Sequence, residues 1–279
     1  MYDGEIAERV IEGEDVSVAT ADSDGSAAPR QNAASRMLSV LEVFRQAAMP
    51  VTLSDISRIS GLPMTTAHRL THELLAWNAL ERTDDGRYRL GTKMLELVTA
   101  STHAMELRER ALPWLVRLHQ TLRNIIVHLA IRDGDESVFI EALHSSTRAA
   151  RMNRLGGRMP LTATATGRVL LAWAPEEVQE RVLSASQTAF TSETLVEPEE
   201  LRRELQAIRQ AGTSITRSQV IAGSGGIGAP VFDPEGDIVA SVGIVFRLKD
   251  FRLEEYVPIV EAAARKISRD IGVPGLIIR

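Results

Sequence analysis

Cysteine is absent from the 279 residues, so no disulfide and no cysteine-ligated zinc, haem or iron–sulfur site can form. No apolar run is long enough to span a bilayer and no signal-peptide pattern opens the chain, which points to a cytoplasmic protein. The common catalytic signatures are missing too: there is no G-x-S-x-G elbow, no Walker loop and no H-E-x-x-H. His68 and His72 stand four residues apart, but no third metal ligand accompanies them. An enzyme is not expected, and the chain calls for no cofactor and no metal. One-signed charge is scarce as well. The formal net charge is −5, which taken whole argues against a polyanionic partner.

The distribution of charge removes much of that objection. Residues 1–30 carry eight acids and two bases, residues 31–91 carry six acids and seven arginines, and the remainder balances at 23 of each sign. A near-neutral stretch can still bind a polyanion if its cations are placed locally. With 44% hydrophobic and 25% charged residues the composition is that of a soluble protein with an ample core, and the length favours two domains. The first 30 residues, ending in ATADSDGSAAPR, read as a disordered acidic tail in which Glu5 to Ile11 has the pattern of a helical turn or two.

The stretch Thr52–Trp77, TLSDISRISGLPMTTAHRLTHELLAW, organises the rest of the chain. Leu53, Ile56 and Ile59 give a short helix an apolar face, with Thr52 or Ser54 as its cap. Gly61 suits the left-handed residue that ends a helix, and Pro63 suits the first turn of the next. In that second helix Ala67, Leu70, Thr71 and Leu74 fall on one side. Thr65, Arg69 and His72 fall on the other, flanked by Thr66, His68 and Glu73. Hydrogen-bonding side chains facing out near a helix N-terminus are what a major-groove reader needs. Ala79–Gly91, ALERTDDGRYRLG, then reads as strand, Asp85-Gly86 turn, strand, carrying Arg82, Arg87 and Arg89. Helix-turn-helix followed by a basic hairpin is a winged helix, with the wing placed to touch phosphates. Ser35–Gln46 is an amphipathic helix that packs beneath it, with Arg36 near its start in reach of a phosphate.

After the wing, Thr92–Thr102 reads as helix with apolar Met94, Leu95 and Val98. A second helix, Leu107–Arg123, has Leu112, Leu115, Val116 and Leu118 on one stripe and Pro113 inside it. Exposed apolar residues on such a linker are a candidate dimer contact, and a symmetric operator reader needs two recognition helices about 34 Å apart. From Asn124 the period changes to strands: a hairpin at Ile125–Leu143, then helices near Thr166–Trp173, Pro175–Ser184 and Pro198–Ala211. Strands return at Thr213–Arg217, Ile227–Phe232 and Ile238–Phe246, before a closing helix, Leu253–Ile271. His128 and His144, in or beside strands, read as structural. The result is an α+β domain around one mostly antiparallel sheet, a setting for a small-molecule pocket.

Two stretches are candidates for that pocket. In Leu155–Leu170, LGGRMPLTATATGRVL, the hydroxyls of Thr162, Thr164 and Thr166 and the helix N-terminus suit a carboxylate, or the threonines only cap the helix. In Ala222–Pro230, AGSGGIGAP, the glycines at 223, 225 and 228 match G-x-G-x-x-G. The motif precedes a strand instead of opening a helix, so a flexible loop lining a pocket fits better than a nucleotide site.

Taken together, SRMLSVLEVF, LSDISRISGLPMTTAHRLTHEL, GRYRLG, GGRMPLTATATGRVLLA and IGAPVFDPEGDIVASVGI resemble the IclR family of bacterial transcriptional regulators, over roughly Ala34–Gly272. The resemblance implies an N-terminal winged helix-turn-helix domain (residues 31–91), a helical linker (92–106) and a GAF/PAS-like C-terminal effector-binding domain (107–279), in homodimers that often pair into homotetramers. It implies double-stranded operator DNA as a partner, contacted by Thr65, Thr66, His68 and Arg69, with Ser54 and Arg36 near phosphates. His72 and the wing's Arg87 complete the DNA-binding set. It also implies a small organic acid as effector, held between the loop carrying Gly157, Leu161, Thr162, Ala163, Thr164 and Gly167 and the inner strand at Gly243 and Val245. Ser224 and Pro230 join that lining from the second candidate stretch. Met64 and Gln219 depart from the family pattern, where a basic residue and an acid are common, and the strand VGIVF lacks hydroxyls. These departures favour a larger or aromatic acid, with Arg148 or Arg151 as its counter-charge. Two other readings compete: a small-molecule enzyme with a nucleotide loop at 223–228, and a sensor whose helix-turn-helix serves only assembly.

Overall fold

A computed structural model describes residues 32–47, 50–99, 102–122, 125–144, 155–250 and 252–272. The acidic tail with its helical turn, and both Arg148 and Arg151, lie outside the described residues. The chain divides into two compact units, with the break between Met105 and Glu106.

The N-terminal unit begins with α1 (Ala33–Ala47), α2 (Leu53–Ser60) and α3 (Met64–Ala76). Thr52 caps α2 through a reciprocal box: its hydroxyl accepts from the Asp55 amide at 3.2 Å, and the Asp55 carboxylate accepts from the Thr52 amide at 3.1 Å. Gly61 ends α2 at φ 68°, where a side chain would be strained, so the chain turns directly into Pro63 and α3. Ala67 is wholly buried, and Leu70, Thr71 and Leu74 are buried beside it. Val40, Val43 and Phe44 of α1 and Ile56 of α2 complete this core. The wing is β1 (Leu80–Arg82) and β2 (Tyr88–Leu90), antiparallel, with Gly86 at φ 81° in the turn. Val51 adds a bridge to Tyr88 that the sequence does not announce, with amide-to-carbonyl bonds of 2.9 and 2.8 Å. Next comes α4 (Thr92–Thr99), whose Leu95, Leu97 and Val98 are exposed.

Helix α5 (Thr102–Thr121) starts five residues earlier than its apolar stripe suggests and runs straight through Pro113. Leu107, Ala111, Leu115 and Leu118 are its buried positions, whereas Val116 is exposed. The C-terminal unit holds β3 (Ile126–Asp133), β4 (Glu136–Leu143), β5 (Arg158–Pro160), β6 (Ser214–Arg217), β7 (Ser224–Phe232) and β8 (Ile238–Arg247). They form one antiparallel sheet in the order β5-β4-β3-β8-β7-β6. One face packs on α5 and on α9 (Leu253–Ile271), through Leu115, Leu118, Val260 and Ile267 against Val127, Leu129, Ile244 and Phe246. The other face receives α6 (Ala165–Ala172), backed by α7 (Glu176–Ser184) and α8 (Pro198–Ala211).

Two expectations need correction here. The glycine-rich stretch is not a flexible loop: from Ser224 onward it is the buried strand β7, paired on both sides. Residues 158–160, expected as loop, form the edge strand β5 against β4. The strand expected at Ile227–Phe232 starts three residues earlier, at Ser224, and patterning misses that start because four of the first five residues of β7 are glycine or serine. The signal for β5 is only three residues long.

Glycine is required in β7 and β8 by the approach of α6. A Cβ on Gly228 would lie 2.7 Å from the Ala165 carbonyl carbon and oxygen, and one on Gly243 would lie 2.5 Å from the Thr166 methyl and 2.6 Å from the Ile227 carbonyl oxygen. All eight residues of α6 are buried, Arg168 among them. Its guanidinium donates to the Thr162 carbonyl at 2.7 Å and to the Gln219 side-chain oxygen, and it faces Glu204 at 3.7 Å. Burial lowers the Arg168 pKa and Glu204 opposes the shift; a guanidinium is not deprotonated in a folded protein, so the group is a buried cation.

This packing has two measurable consequences. Gly228→Ala should destabilise the C-terminal unit by about 1–3 kcal/mol, because the clash is with helix backbone and cannot be relieved by rotating a side chain; urea unfolding measures it. The bonds from Thr52, with Arg58 adding to them, hold the Asp55 carboxyl down at about 2. A depressed carboxylate contributes stability that is present above its unfolded value and lost as pH falls toward the folded one. Amide exchange in α2 should therefore quicken between about pH 4 and about pH 2, and Asp55→Asn should flatten that dependence.

Candidate functional site

The face of α3 opposite its core is open to solvent along its length. Thr65, His68, Arg69 and His72 are exposed and Thr66 is half-buried, while Ala67, Leu70, Thr71 and Leu74 are buried behind them. The N-terminus of α3 has no side-chain cap, which leaves its first amides without an intrahelical or side-chain partner. Ser54, in the first turn of α2, and Arg36 in α1 are exposed. Arg87 is exposed on the wing, with its Nη1 donating to the Pro50 carbonyl at 3.5 Å. All eight residues assigned to DNA by sequence are thus present on the surface of one small unit.

The arginines of this unit are not isolated charges. Arg69 pairs with Glu73 one turn on along α3. Arg87 pairs with Asp85 at 3.2 Å, and Arg58 with Asp55 at 3.1 Å. Arg89 lays two nitrogens on Glu81, at 3.0 and 2.9 Å, and Glu81 also accepts from the Thr92 amide at 3.2 Å. The Arg89 side chain lowers the Glu81 pKa most, followed by the Thr92 amide. Arg82 lies 5.9 Å from the centre of the Tyr88 ring. Of these pairs, that of Arg69 with Glu73 stands on the exposed face of α3.

In the C-terminal unit the sheet positions the second candidate site. Register partners in an antiparallel sheet share a face. Gly228 and Gly243 point at α6, so Gly226, Pro230, Ser241, Val245, Ile126 and His128 share that face. Thr164 caps α6, accepting from the Gly167 amide at 3.0 Å, and its hydroxyl is 3.4 Å from that of Thr166. Gly167 is buried, and a Cβ there would lie 2.6 Å from the Leu161 carbonyl oxygen. Gly157, Thr164, Pro230 and Val245 keep partial exposure. Leu161, Ala163 and Ser224 are buried; the Ser224 hydroxyl donates to the Ile221 carbonyl at 2.8 Å. Thr162 gives its hydroxyl to the Gln187 side chain at 2.6 Å, so that group is engaged in holding the loop.

Two side chains have surroundings that the sequence does not specify. Gln219, which departs from the family pattern where an acid is common, is a structural joint. Its side-chain oxygen accepts from Arg168 and from the Leu195 amide at 2.8 Å, while its amide nitrogen donates to the Glu193 and Arg217 carbonyls. It therefore says little about ligand polarity. His128, expected as a structural strand residue, lies on the α6 face opposite Gly243 and stacks on the Phe139 ring at 4.3 Å. Its place beside the candidate site comes from register with β8, 115 positions further along the chain, which local patterning does not contain. The dinucleotide reading of residues 223–228 is excluded by β7: the backbone there is spent on sheet bonds to β6 and β8. Among the described residues no cluster of three or more metal-ligating side chains occurs, and no helix is long and apolar enough to cross a membrane.

Comparison with known proteins agrees with both units. Residues 33–84 match the IclR helix-turn-helix domain, and residues 99–269 match the C-terminal domain of IclR bacterial transcriptional regulators. The chain is 30% identical over 244 residues to the HTH-type transcriptional regulator XynR of Escherichia coli K12, covering 86% of this chain and 96% of that protein. It is 30% identical to the HTH-type transcriptional regulator KipR of Bacillus subtilis 168, over 80% of this chain and 90% of that one. A crystal structure of an IclR homologue from Microbacterium hydrocarbonoxydans, complexed with 4-hydroxybenzoate, superposes with a TM-score of 0.78 at 35% identity, covering 85% of this chain and 97% of that one. With matching domains in this order and transcriptional regulators as its relatives, not enzymes, the chain belongs to the IclR family and is a DNA-binding transcriptional regulator.

Proposed function

We propose that this regulator docks the exposed face of α3 in the major groove of a double-stranded operator and changes its hold on that operator when a small organic acid binds its C-terminal unit. The observation that carries the DNA half is the partition of α3. Four hydrogen-bonding side chains, Thr65, His68, Arg69 and His72, stand free of the core that Ala67, Leu70 and Leu74 fill. Thr66 joins them at the edge, Ser54 and Arg36 serve as phosphate contacts, and Arg87 reaches the backbone from the wing. The protein acts in the cytoplasm as a homodimer or homotetramer, since two recognition helices must meet successive half-sites. Residues 31–91 form the DNA-binding domain, 92–106 the linker and 107–279 the effector domain.

The effector lies against the α6 face of the sheet, near Gly157, Thr164 and Val245, with Leu161, Thr162, Ala163, Gly167, Ser224, Pro230 and Gly243 shaping the walls. Partial exposure of Gly157, Thr164 and Val245 supports this placing. An aromatic acid fits better than a small keto acid. Gly243 and Val245 offer only apolar contact, which suits an aromatic ring, and the 4-hydroxybenzoate complex belongs to a relative that matches over nearly its whole length. The acid acts only through a difference in affinity for the operator-bound and released states.

Fluorescence anisotropy with DNA from upstream of the regulator's own gene tests the DNA half, in the presence of unrelated competitor. Salt-sensitive binding that survives competitor is expected, and Arg69→Ala should weaken it by about 1–3 kcal/mol. Unchanged affinity of the variant would remove Arg69 from the interface. Titrating the complex with 4-hydroxybenzoate and, separately, with glyoxylate tests the effector half. The aromatic acid should shift half-saturation and glyoxylate should not; the reverse order would overturn the preference for an aromatic ligand.

A further inference from the structure

The ion pairs of α2, α3 and the wing each join an arginine to a carboxylate of the same unit: Arg58 to Asp55, Arg69 to Glu73, Arg87 to Asp85 and Arg89 to Glu81. These pairs are largely exposed, with Arg69 and Glu73 keeping 60% and 46% of their side-chain surface, so they add little to stability. Their effect is on where each guanidinium rests and on what it can approach. Glu73 differs from the others because it shares the open face of α3 with Thr65, His68 and His72.

We infer that Glu73 is a specificity-determining residue of the DNA face, which positions Arg69 for a guanine edge and disfavours its contact with phosphate. The inference rests on α3 being the recognition helix. Residues four apart on a helix are neighbours on its surface, so the Glu73 carboxylate travels with the Arg69 guanidinium. If Arg69 reached for a phosphate, two anions would crowd one cation and the Glu73 charge would be repelled. If Arg69 instead met the O6 and N7 acceptors of guanine, the partner would be neutral and the ion pair would survive. The second carboxylate oxygen of Glu73 is then able to accept from a cytosine N4 amine. The unit's charge supports this division of labour. Seven arginines against six acids over residues 31–91 leave little attraction for DNA in general, so discrimination must come from contacts that the carboxylates tolerate.

Selection of duplexes from a random pool by the full-length protein identifies the preferred site directly. Wild type, Glu73→Gln, Arg69→Ala and the double variant are then titrated against the selected duplex and an unrelated one at two salt concentrations. The selected site should carry a G·C pair whose replacement weakens wild-type binding. Glu73→Gln should bind unrelated DNA more tightly, steepen its salt slope by about one and cut the preference for the selected site by about tenfold. In the Arg69→Ala background the Glu73 substitution should lose most of this effect. An unchanged preference ratio in Glu73→Gln, or an equal change with and without Arg69, overturns the inference. A role confined to helix stability would lower the melting temperature and leave the ratio intact, which also overturns it. A pool that yields no preferred sequence with wild type removes the recognition-helix reading itself, an outcome separable from the others.

Discussion

Close approach of a helix N-terminus to sheet backbone is the constraint on which the C-terminal unit depends. A helix ordinarily rides on a layer of side chains, which holds it about 10 Å from the sheet it covers, much as one sheet is held from another. Here α6 meets β7 and β8 where Gly228 and Gly243 leave no side chain, and both glycines point straight at Ala165 and Thr166. Such depth buries all of α6 and takes Arg168 down with it. A buried guanidinium must find acceptors, and the Thr162 carbonyl and Gln219 supply them, with Glu204 at the margin. Gln219 in turn ties the segment at Glu193–Leu195 to the end of β6. One steric condition thus propagates into the loop before α6, which carries several of the residues proposed to surround the effector.

The N-terminal unit answers to a different condition. Its core is small, and Ala67, with no exposed surface, sets how near α2 and α3 lie. The hydrogen-bonding side chains of α3 are left on the outside of that core. Charge there is arranged in pairs, so that the surface is cationic in detail and almost neutral in sum. A surface of this kind has little net attraction for a polyanion, so the local placement of its cations matters more than their sum. The overall −5 charge and the demand for a nucleic-acid partner are then compatible.

Much of this architecture is legible in the residues, and the reasons are local. Thr52, Gly61 and Pro63 mark the ends of α2 and α3 through a capping box, a left-handed turn and a proline that stands at the N-cap, one position before the helical turn the sequence suggests for it, all within a dozen residues. The alternation of Ala67, Leu70 and Leu74 with Thr65, Arg69 and His72 identifies the open face before any packing is known. The bounds of α8 are also readable, because Pro198 opens it and Gly212, at φ 77°, closes it. Where local pattern is weak, the residues mislead. Gly225 and Gly226 suggest a loop ahead of the strand expected from Ile227, although they belong to it, since a segment with few side chains has no periodicity to show. Nothing local in the sequence shows that the four bonds of the Gln219 side chain hold Arg168 and two loops together.

By itself the sequence determined most of the order of elements, the winged helix and the antiparallel sheet, because these follow from caps, turns and the spacing of apolar residues along the chain, while the family was carried by resemblance of whole segments. Tertiary structure alone decided that Arg168 meets Glu204, that His128 lies opposite Gly243, and that α6 sits on bare strand backbone. Register partners such as His128 with Gly243 are brought together by folding across stretches that carry no trace of one another. Spacing along a chain specifies local conformation, but distance in space between remote residues exists only once the sheet is paired and the helices are packed.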